Sequence, residues 1–464
     1  MPVCPANMCG EGATSRRVSE RTLSGLSFRG HVPLIELTQS GDTESSEILR
    51  VENLQVHFPV KIPLLQRIVQ REKAVVHAVD GVSFVLQTGE IMGLVGESGC
   101  GKTTVGRAVV RLIEPTGGKV IFEDRNIAKA KGGTIRALRR EMQIIFQDPH
   151  ASLNPAMRIG DAIGHPLWIH RSGSQSRASF RREARENVLS MMREVGLTPE
   201  EQLYDKYPGD LSGGQKQRAV IARAIILEPK LLVVDEGVAM LDMSIRAKIL
   251  ELMLDLKRKH AMTYLFITHD LATAKFICDR IAIMYLGRIV EIGPSKEIYA
   301  DPKHPYTKAL LSVIPVPDPD KRKEKILPRG EVPDAVNLPL GCRFHPRCPA
   351  VLSSCGWEGR DFLDLLDEHL SDPKRAGADE TILGPIEDWW AKGLVAGRKT
   401  GPADAAKITE RIRAILAEGP AAMVQAVGTV GLQGKNVIIE FRGPDTLAQT
   451  QVGERIVECL LYQN

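Results

Sequence analysis

Long apolar runs are missing from this sequence of 464 residues. No stretch reaches the roughly 18 to 20 uninterrupted apolar residues that a membrane-spanning helix needs, so no helix is expected to cross a bilayer. A dominant charge is missing too. The 61 basic and 57 acidic side chains leave a formal net charge of +4. That balance does not by itself imply a nucleic acid or a membrane surface. Arg16 and Arg17 are not followed by an apolar core, so no secretory signal is expected. Eight cysteines in a chain of this length are no disulfide framework. A local cysteine cluster reads instead as metal-binding or catalytic.

What is present is the composition of soluble globular protein, 43% hydrophobic and 25% charged, with length for two to three domains. Residues 1–48 are rich in Ser, Gly, Thr and Arg without a sustained period, and read as a disordered tail. From Ile48 onward, short apolar runs alternate with amphipathic stretches. Ile91–Val95, Leu231–Val234, Tyr264–Ile267 and Ile281–Met284 are such runs. Continuous apolar strands separated by helices predict an α/β fold, a parallel-rich sheet covered on both faces, over residues 49–300. Residues about 150–210 are polar and helix-favouring, with the Arg/Glu-rich run Arg177–Arg185, and read as a helical insertion. Asp301–Pro339 holds eight of the 28 prolines and reads as an extended linker within 301–358. The region 359–464 differs again. A helical pattern over Ala405–Glu418 stops at Gly419 and Pro420, and Asn436–Phe441 alternates like a strand, which suggests a small α+β accessory region.

Three motifs carry chemistry. The run Gly96-Glu97-Ser98-Gly99-Cys100-Gly101-Lys102-Thr103, continued by Thr104, matches G-x-x-x-x-G-K-[ST]. Its glycines let the backbone wrap phosphate oxygens, and the amides and helix N-terminus supply positive potential. Lys102 is expected to reach the β- and γ-phosphates of ATP, and Thr103 to ligate Mg²⁺. A preceding strand and a following helix (Val105–Leu112) argue against a chance glycine loop. The second motif is an apolar strand ending in Asp235 and Glu236. Ligands of open α/β sheets gather at the carboxyl ends of strands. Asp235 is therefore placed to organise Mg²⁺ and Glu236 to act as general base toward water, rather than to form a solvated strand end. Third, Leu211-Ser212-Gly213-Gly214-Gln215 opens a helix running to Ile226, with Ser212 as N-cap and two glycines exposing backbone N–H groups.

An LSGGQ between a phosphate loop and an acidic strand resembles the ABC ATPases. Further family motifs follow in order. Gln147 in Phe-Gln-Asp-Pro resembles the Q-loop, which senses Mg²⁺ and γ-phosphate. Asp242 in Met-Leu-Asp resembles the D-loop, and His269 in Ile-Thr-His-Asp the switch histidine that contacts γ-phosphate. Phe58 is a candidate to stack on adenine. Two positions depart from the pattern: Gly237 stands where the family has proline, and Ala239 where it has serine, which bears on turnover.

Ala78-Val-Asp-Gly-Val-Ser-Phe, His304-Pro-Tyr-Thr-Lys-Ala-Leu-Leu311 and Gly341-Cys-Arg-Phe-His-Pro-Arg-Cys-Pro349 resemble the oligopeptide/dipeptide group of import ATPases. The resemblance implies a second ABC ATPase subunit, identical or not, paired head to tail. It also implies two transmembrane permease subunits, an extracytoplasmic solute-binding protein, no nucleic acid, and a peripheral place on the cytoplasmic face of the cell membrane. An exporter subunit and a soluble non-transport ABC ATPase are the other readings of the same motifs. Cys342, Cys348 and Cys355 lie within 14 residues, and Cys459 in Glu454-Arg-Ile-Val-Glu-Cys459 resembles the cysteine that closes this region in the family. About 100 residues separate them here, so residues 360–450 read as an insertion. Four thiolates suit zinc or an iron–sulfur cluster of the 4Fe–4S type, the latter slightly favoured, with Arg343 and Arg347 expected to favour the thiolate forms. Four buried, unligated cysteines are the alternative. Cys100 and Cys278 read as structural.

Overall fold

Two antiparallel strands of 13 residues, β1 (Glu47–Pro59) and β2 (Val75–Gln87), open the structure, a computed structural model. It describes residues 46–60, 75–171, 176–238, 241–314, 325–372, 376 and 379–463. The expected N-terminal tail lies outside the described residues except for its last three positions, two of which already belong to β1. Both strands alternate, with Leu49, Val51, Leu54, Val56, Val79, Val82 and Leu86 buried. This period of two is what a half-covered antiparallel sheet requires. β4 (Gly117–Phe122) and β5 (Arg125–Asn126) complete this sheet in the order β2-β1-β4-β5.

The second sheet has eight strands, two of them, β15 (Thr450–Val452) and β16 (Arg455–Val457), from the end of the chain, in the order β15-β16-β10-β9-β3-β8-β7-β6. Its middle is parallel: β9 (Arg280–Tyr285), β3 (Ile91–Val95), β8 (Thr263–Thr268), β7 (Leu231–Asp235) and β6 (Met142–Ile145). Every residue of β3, β7 and β8 is buried, as expected for strands covered on both faces. β10 (Arg288–Pro294) pairs antiparallel to β9. The fold is thus parallel-rich α/β, with an antiparallel layer that the short apolar runs did not show. Residues 150–210 contain the helices Ile159–Ile169 and Arg177–Glu194. Their buried faces (Ile159, Ile163, Val188, Met192) join the main core.

The proline-rich segment departs from expectation. It begins with a packed helix, Pro305–Ser312, in which Tyr306 and Thr307 are wholly buried. His304 caps this helix and Pro305 sits at its first position, where a missing N–H costs nothing. Residues 315–324 lie outside the described set.

The accessory region has its own sheet, in the order β11-β12-β14-β13, from β11 (Trp389–Lys392), β12 (Val395–Lys399), β13 (Val427–Gln433) and β14 (Asn436–Phe441). The expected helix is found at Pro402–Glu418 and ends at Gly419. Ile408, Ile412 and Ile415 recur at helical spacing and pack with Phe362, Trp389 and Ile439 in a separate core. The chain then returns to the large sheet. β15 (Thr450–Val452) and β16 (Arg455–Val457) pair, and β16 runs antiparallel to β10 with Glu291 opposite Val457. The accessory layer therefore interrupts an element of the main sheet. We expect Ile412→Ala to destabilise this layer by about 2–5 kcal/mol, the usual cost of such a cavity. Three of the four tryptophans (Trp357, Trp389, Trp390) lie in or beside it, so denaturant titration by tryptophan fluorescence reads the change.

Candidate nucleotide site

Four neighbouring parallel strands bring the motifs together. The phosphate loop follows β3, Asp235 ends β7, His269 follows β8, and Gln147 lies two residues past β6. Because β3, β8, β7 and β6 run the same way, all four motifs emerge at one carboxyl edge of the sheet.

The loop is wrapped closely. Gly101 has φ of 102°, and a Cβ there would lie 2.0 Å from the carbonyl oxygen of Ala78. A Cβ at Gly96 would lie 2.1 Å from the carbonyl oxygen of Met284. Lys102 is 5% exposed and donates to the carbonyls of Gly96 at 2.9 Å and Glu97 at 2.8 Å, so its charge holds the loop curled around it. It opens the helix Lys102–Val109, which also carries Thr103 and Thr104. Cys100 is buried and its thiol is pushed up by that burial, in keeping with a structural role.

The acidic pair and its partners form a continuous polar line. The Thr103 hydroxyl donates to Asp235 Oδ1 at 2.7 Å. Burial raises the Asp235 carboxyl above its usual range, and the Thr103 hydrogen bond opposes that rise. Glu236 Oε2 accepts from Gln147 Nε2 at 2.8 Å, and Glu236 Oε1 lies 3.0 Å from His269 Nδ1. The Glu236 backbone has φ of 50°, in the left-handed region, while its N–H is fixed to Ile267 O at 3.0 Å. A non-glycine residue held so costs on the order of 1–3 kcal/mol, and such strain clusters at functional sites. An oxygen-rich group at Thr103 and Asp235 suits a hard divalent cation such as Mg²⁺.

Other motif residues are occupied locally. The Ser212 hydroxyl accepts from Gln215 N at 3.3 Å and the Gln215 side chain accepts from Ser212 N at 2.9 Å, a capping box at the start of helix Gly213–Ile225. Gly213 and Gly214 form its first turn. Asp242 caps helix Met243–His260 by accepting from Ile245 N at 3.0 Å. Phe58 is 40% exposed on β1, opposite Val76. Gly237 occupies a tight place, since a Cβ would sit 3.0 Å from Val234 Cγ1 and 3.1 Å from Ile145 Cγ2. Its carbonyl accepts from the buried Gln217 side chain, which ties the LSGGQ helix to the residue after Glu236. Sequence reading missed Gln217, because its partner is a backbone atom 20 positions away. Ala239 lies outside the described residues.

The four cysteines converge, each of them buried. Pairing of β16 with β10 is what returns Cys459 to the others. Burial raises all four thiols, Cys348 to about 12 and Cys459 to about 11, and Cys342 and Cys348 each feel the charge of the other cysteines. This corrects the expectation that Arg343 and Arg347 favour thiolates. Arg343 turns instead to Asp80 and to the Leu286 carbonyl, and Arg347 to Glu97. Among the described residues, no three of the four sulfurs lie within 4.8 Å of one another. Thiolates around a single zinc at Zn–S of about 2.3 Å stand closer than that.

The family model for ABC transporters matches residues 79–239, and that for the oligopeptide/dipeptide transporter C-terminal region matches 290–355. A Sinorhizobium fredii protein, named a probable peptide ABC transporter ATP-binding protein, is 44% identical over 70% of this chain and 88% of its own. The dipeptide transport ATP-binding protein of Haemophilus influenzae is 43% identical over 70% of this chain and 94% of its own. The di/tripeptide transport ATP-binding protein of Pseudomonas aeruginosa is 43% identical over 69% and 95%. Relatives matched nearly end to end leave about three tenths of this chain outside the match. By its phosphate loop, its acidic strand end and these extended likenesses, the chain belongs to the family of ABC transporter ATP-binding proteins.

Proposed function

We propose that this chain hydrolyses ATP to drive import of di- or oligopeptides through a membrane complex. The observation that carries the catalytic part is the line Gln147–Glu236–His269 beside the Lys102 loop. Glu236 takes a proton from the attacking water, Lys102 and His269 meet γ-phosphate charge, and the amides of Gly96–Thr104 cradle the phosphates. Phe58 stacks on adenine. Thr103, Asp235 and Gln147 would hold Mg²⁺, whose charge would offset that of the phosphates when bound. Ser212–Gln215 of one cassette closes the nucleotide held by a second, with Asp242 at the junction.

The names of the relatives support peptides as cargo. No helix among the described residues is long and apolar enough to cross a membrane. Affinity purification from membranes in mild detergent, followed by mass spectrometry, tests this. Two polytopic permeases with a solute-binding protein are expected. Recovery of no membrane protein would refute transport while leaving ATP hydrolysis standing.

The four buried cysteines Cys342, Cys348, Cys355 and Cys459 would hold an iron–sulfur cluster of the 4Fe–4S type, with zinc as the alternative, since thiolate ligands suit both. Protein purified anaerobically is expected to contain iron and acid-labile sulfide in equal amounts and to absorb in the visible. Stoichiometric zinc without iron would assign zinc, and neither metal would leave four buried thiols.

A further inference from the structure

Arg343 and Arg347 are four residues apart on the loop Cys342–Cys348; Arg347 touches the phosphate loop directly, and Arg343 touches the turn Leu286–Gly287 that contacts it. Arg347 Nη1 donates to Glu97 Oε2 at 3.1 Å, at the loop's first turn. Its guanidinium also lies 5.9 Å from the ring centroid of buried Tyr285, within range of a cation–π contact. Arg343 donates to the carbonyl of Leu286, and the N–H of the next residue, Gly287, donates to Cys100 O at 3.0 Å, near the loop's end. Leu286 and Gly287 both have positive φ, so this turn is held in a defined shape. A third contact comes from Pro305–Ser312: the hydroxyl of wholly buried Tyr306 accepts from Glu97 N–H at 3.0 Å. Tyr285, Tyr306 and Phe344 pack against one another, with ring centroids 4.7–5.3 Å apart, and make the block rigid.

The carboxylate and the backbone N–H of Glu97 are thus both used by the C-terminal segment. The loop's own bonds run from Lys102 to the carbonyls of Gly96 and Glu97 and from Cys100 N–H to Glu97 O. We propose that Arg347 and Tyr306, supported by Arg343, are positioning residues for the phosphate loop, so that the cysteine segment sets nucleotide affinity. This rests on the reading of Gly96–Thr104 as the nucleotide site. Geometry pre-set by the segment lowers the ordering cost of binding. The same loop carries Cys342 and Cys348, so whatever holds the cysteines together also holds the two arginines in register. His345, wholly buried between the Cys342 carbonyl (2.8 Å) and Asp361 (3.1 Å), extends the connection to the accessory region.

The test is a double-mutant cycle on ATP affinity in the full chain, measured calorimetrically. Arg347→Met and Glu97→Gln should each raise Kd for ATP on the order of 3- to 30-fold, the range of coupled neighbours. The double variant should bind no more weakly than the weaker single. In Arg347→Met the loss should appear in KM rather than kcat. Tyr306→Phe keeps the packed ring and removes only the acceptor, so it should fold and raise Kd about threefold. Single effects that add in the double variant, or an unchanged Kd in both Arg347→Met and Tyr306→Phe, would overturn the proposal. Wild-type protein that binds no ATP would instead refute the nucleotide reading beneath it.

Discussion

Glu236→Gln is expected to bind ATP as wild type does and to lose on the order of 10²- to 10⁴-fold in hydrolysis, the usual contribution of a general base. The substitution is close to isosteric. Its amide oxygen still accepts from Gln147, and its amide nitrogen meets His269 where a carboxylate oxygen did. The strained backbone at φ of 50° is untouched. What is lost is the capacity to take a proton from water. ATP binding by equilibrium dialysis and phosphate release under single-turnover conditions separate the two effects. Hydrolysis at the wild-type rate would show that some other group is the base.

Gly101→Ala is expected to weaken ATP binding on the order of 100-fold or more, because it misplaces the loop by a large fraction of an ångström or worse. Two costs combine. A φ of 102° is one that side chains rarely adopt, and the new Cβ would meet the Ala78 carbonyl at 2.0 Å. That oxygen belongs to β2, so no flexible side chain can give way. Gly99→Ala supplies the contrast. Its φ of 80° carries the same kind of conformational penalty, about 1–2 kcal/mol, but nothing lies within 4 Å of its Cβ. It should retain ATP binding within about tenfold. Equal losses in the two variants would mean that backbone conformation, not the approach of β2, sets the shape of the loop.

Sequence and structure divided the work unevenly. The phosphate loop, the acidic pair and the LSGGQ helix were legible because their chemistry is local. Each needs particular residue types within a few positions of one another, and the elements that carry them are strongly apolar strands or well-capped helices. The same holds for the helix Pro402–Glu418, whose isoleucines mark its buried face and whose stop is written in Gly419 and Pro420. By itself the sequence determined the α/β class and the nucleotide chemistry.

Tertiary structure decided what depends on direction and return. The parallel sense of β3, β8, β7 and β6 puts Lys102, Gln147, Asp235, Glu236 and His269 at one edge, and no local pattern encodes strand sense. Pairing of β16 with β10 brings Cys459 back across the accessory region. Most of all, the structure reassigned Arg343 and Arg347. In sequence they stand beside cysteines and look like their electrostatic partners. In space they turn to Asp80, Leu286 and Glu97, because a buried guanidinium must find acceptors and these lie across the fold, 57 to 263 residues away. Short-range pattern thus determined which chemistry the chain carries. Long-range satisfaction of buried polar groups decided which distant segment holds the phosphate loop in place.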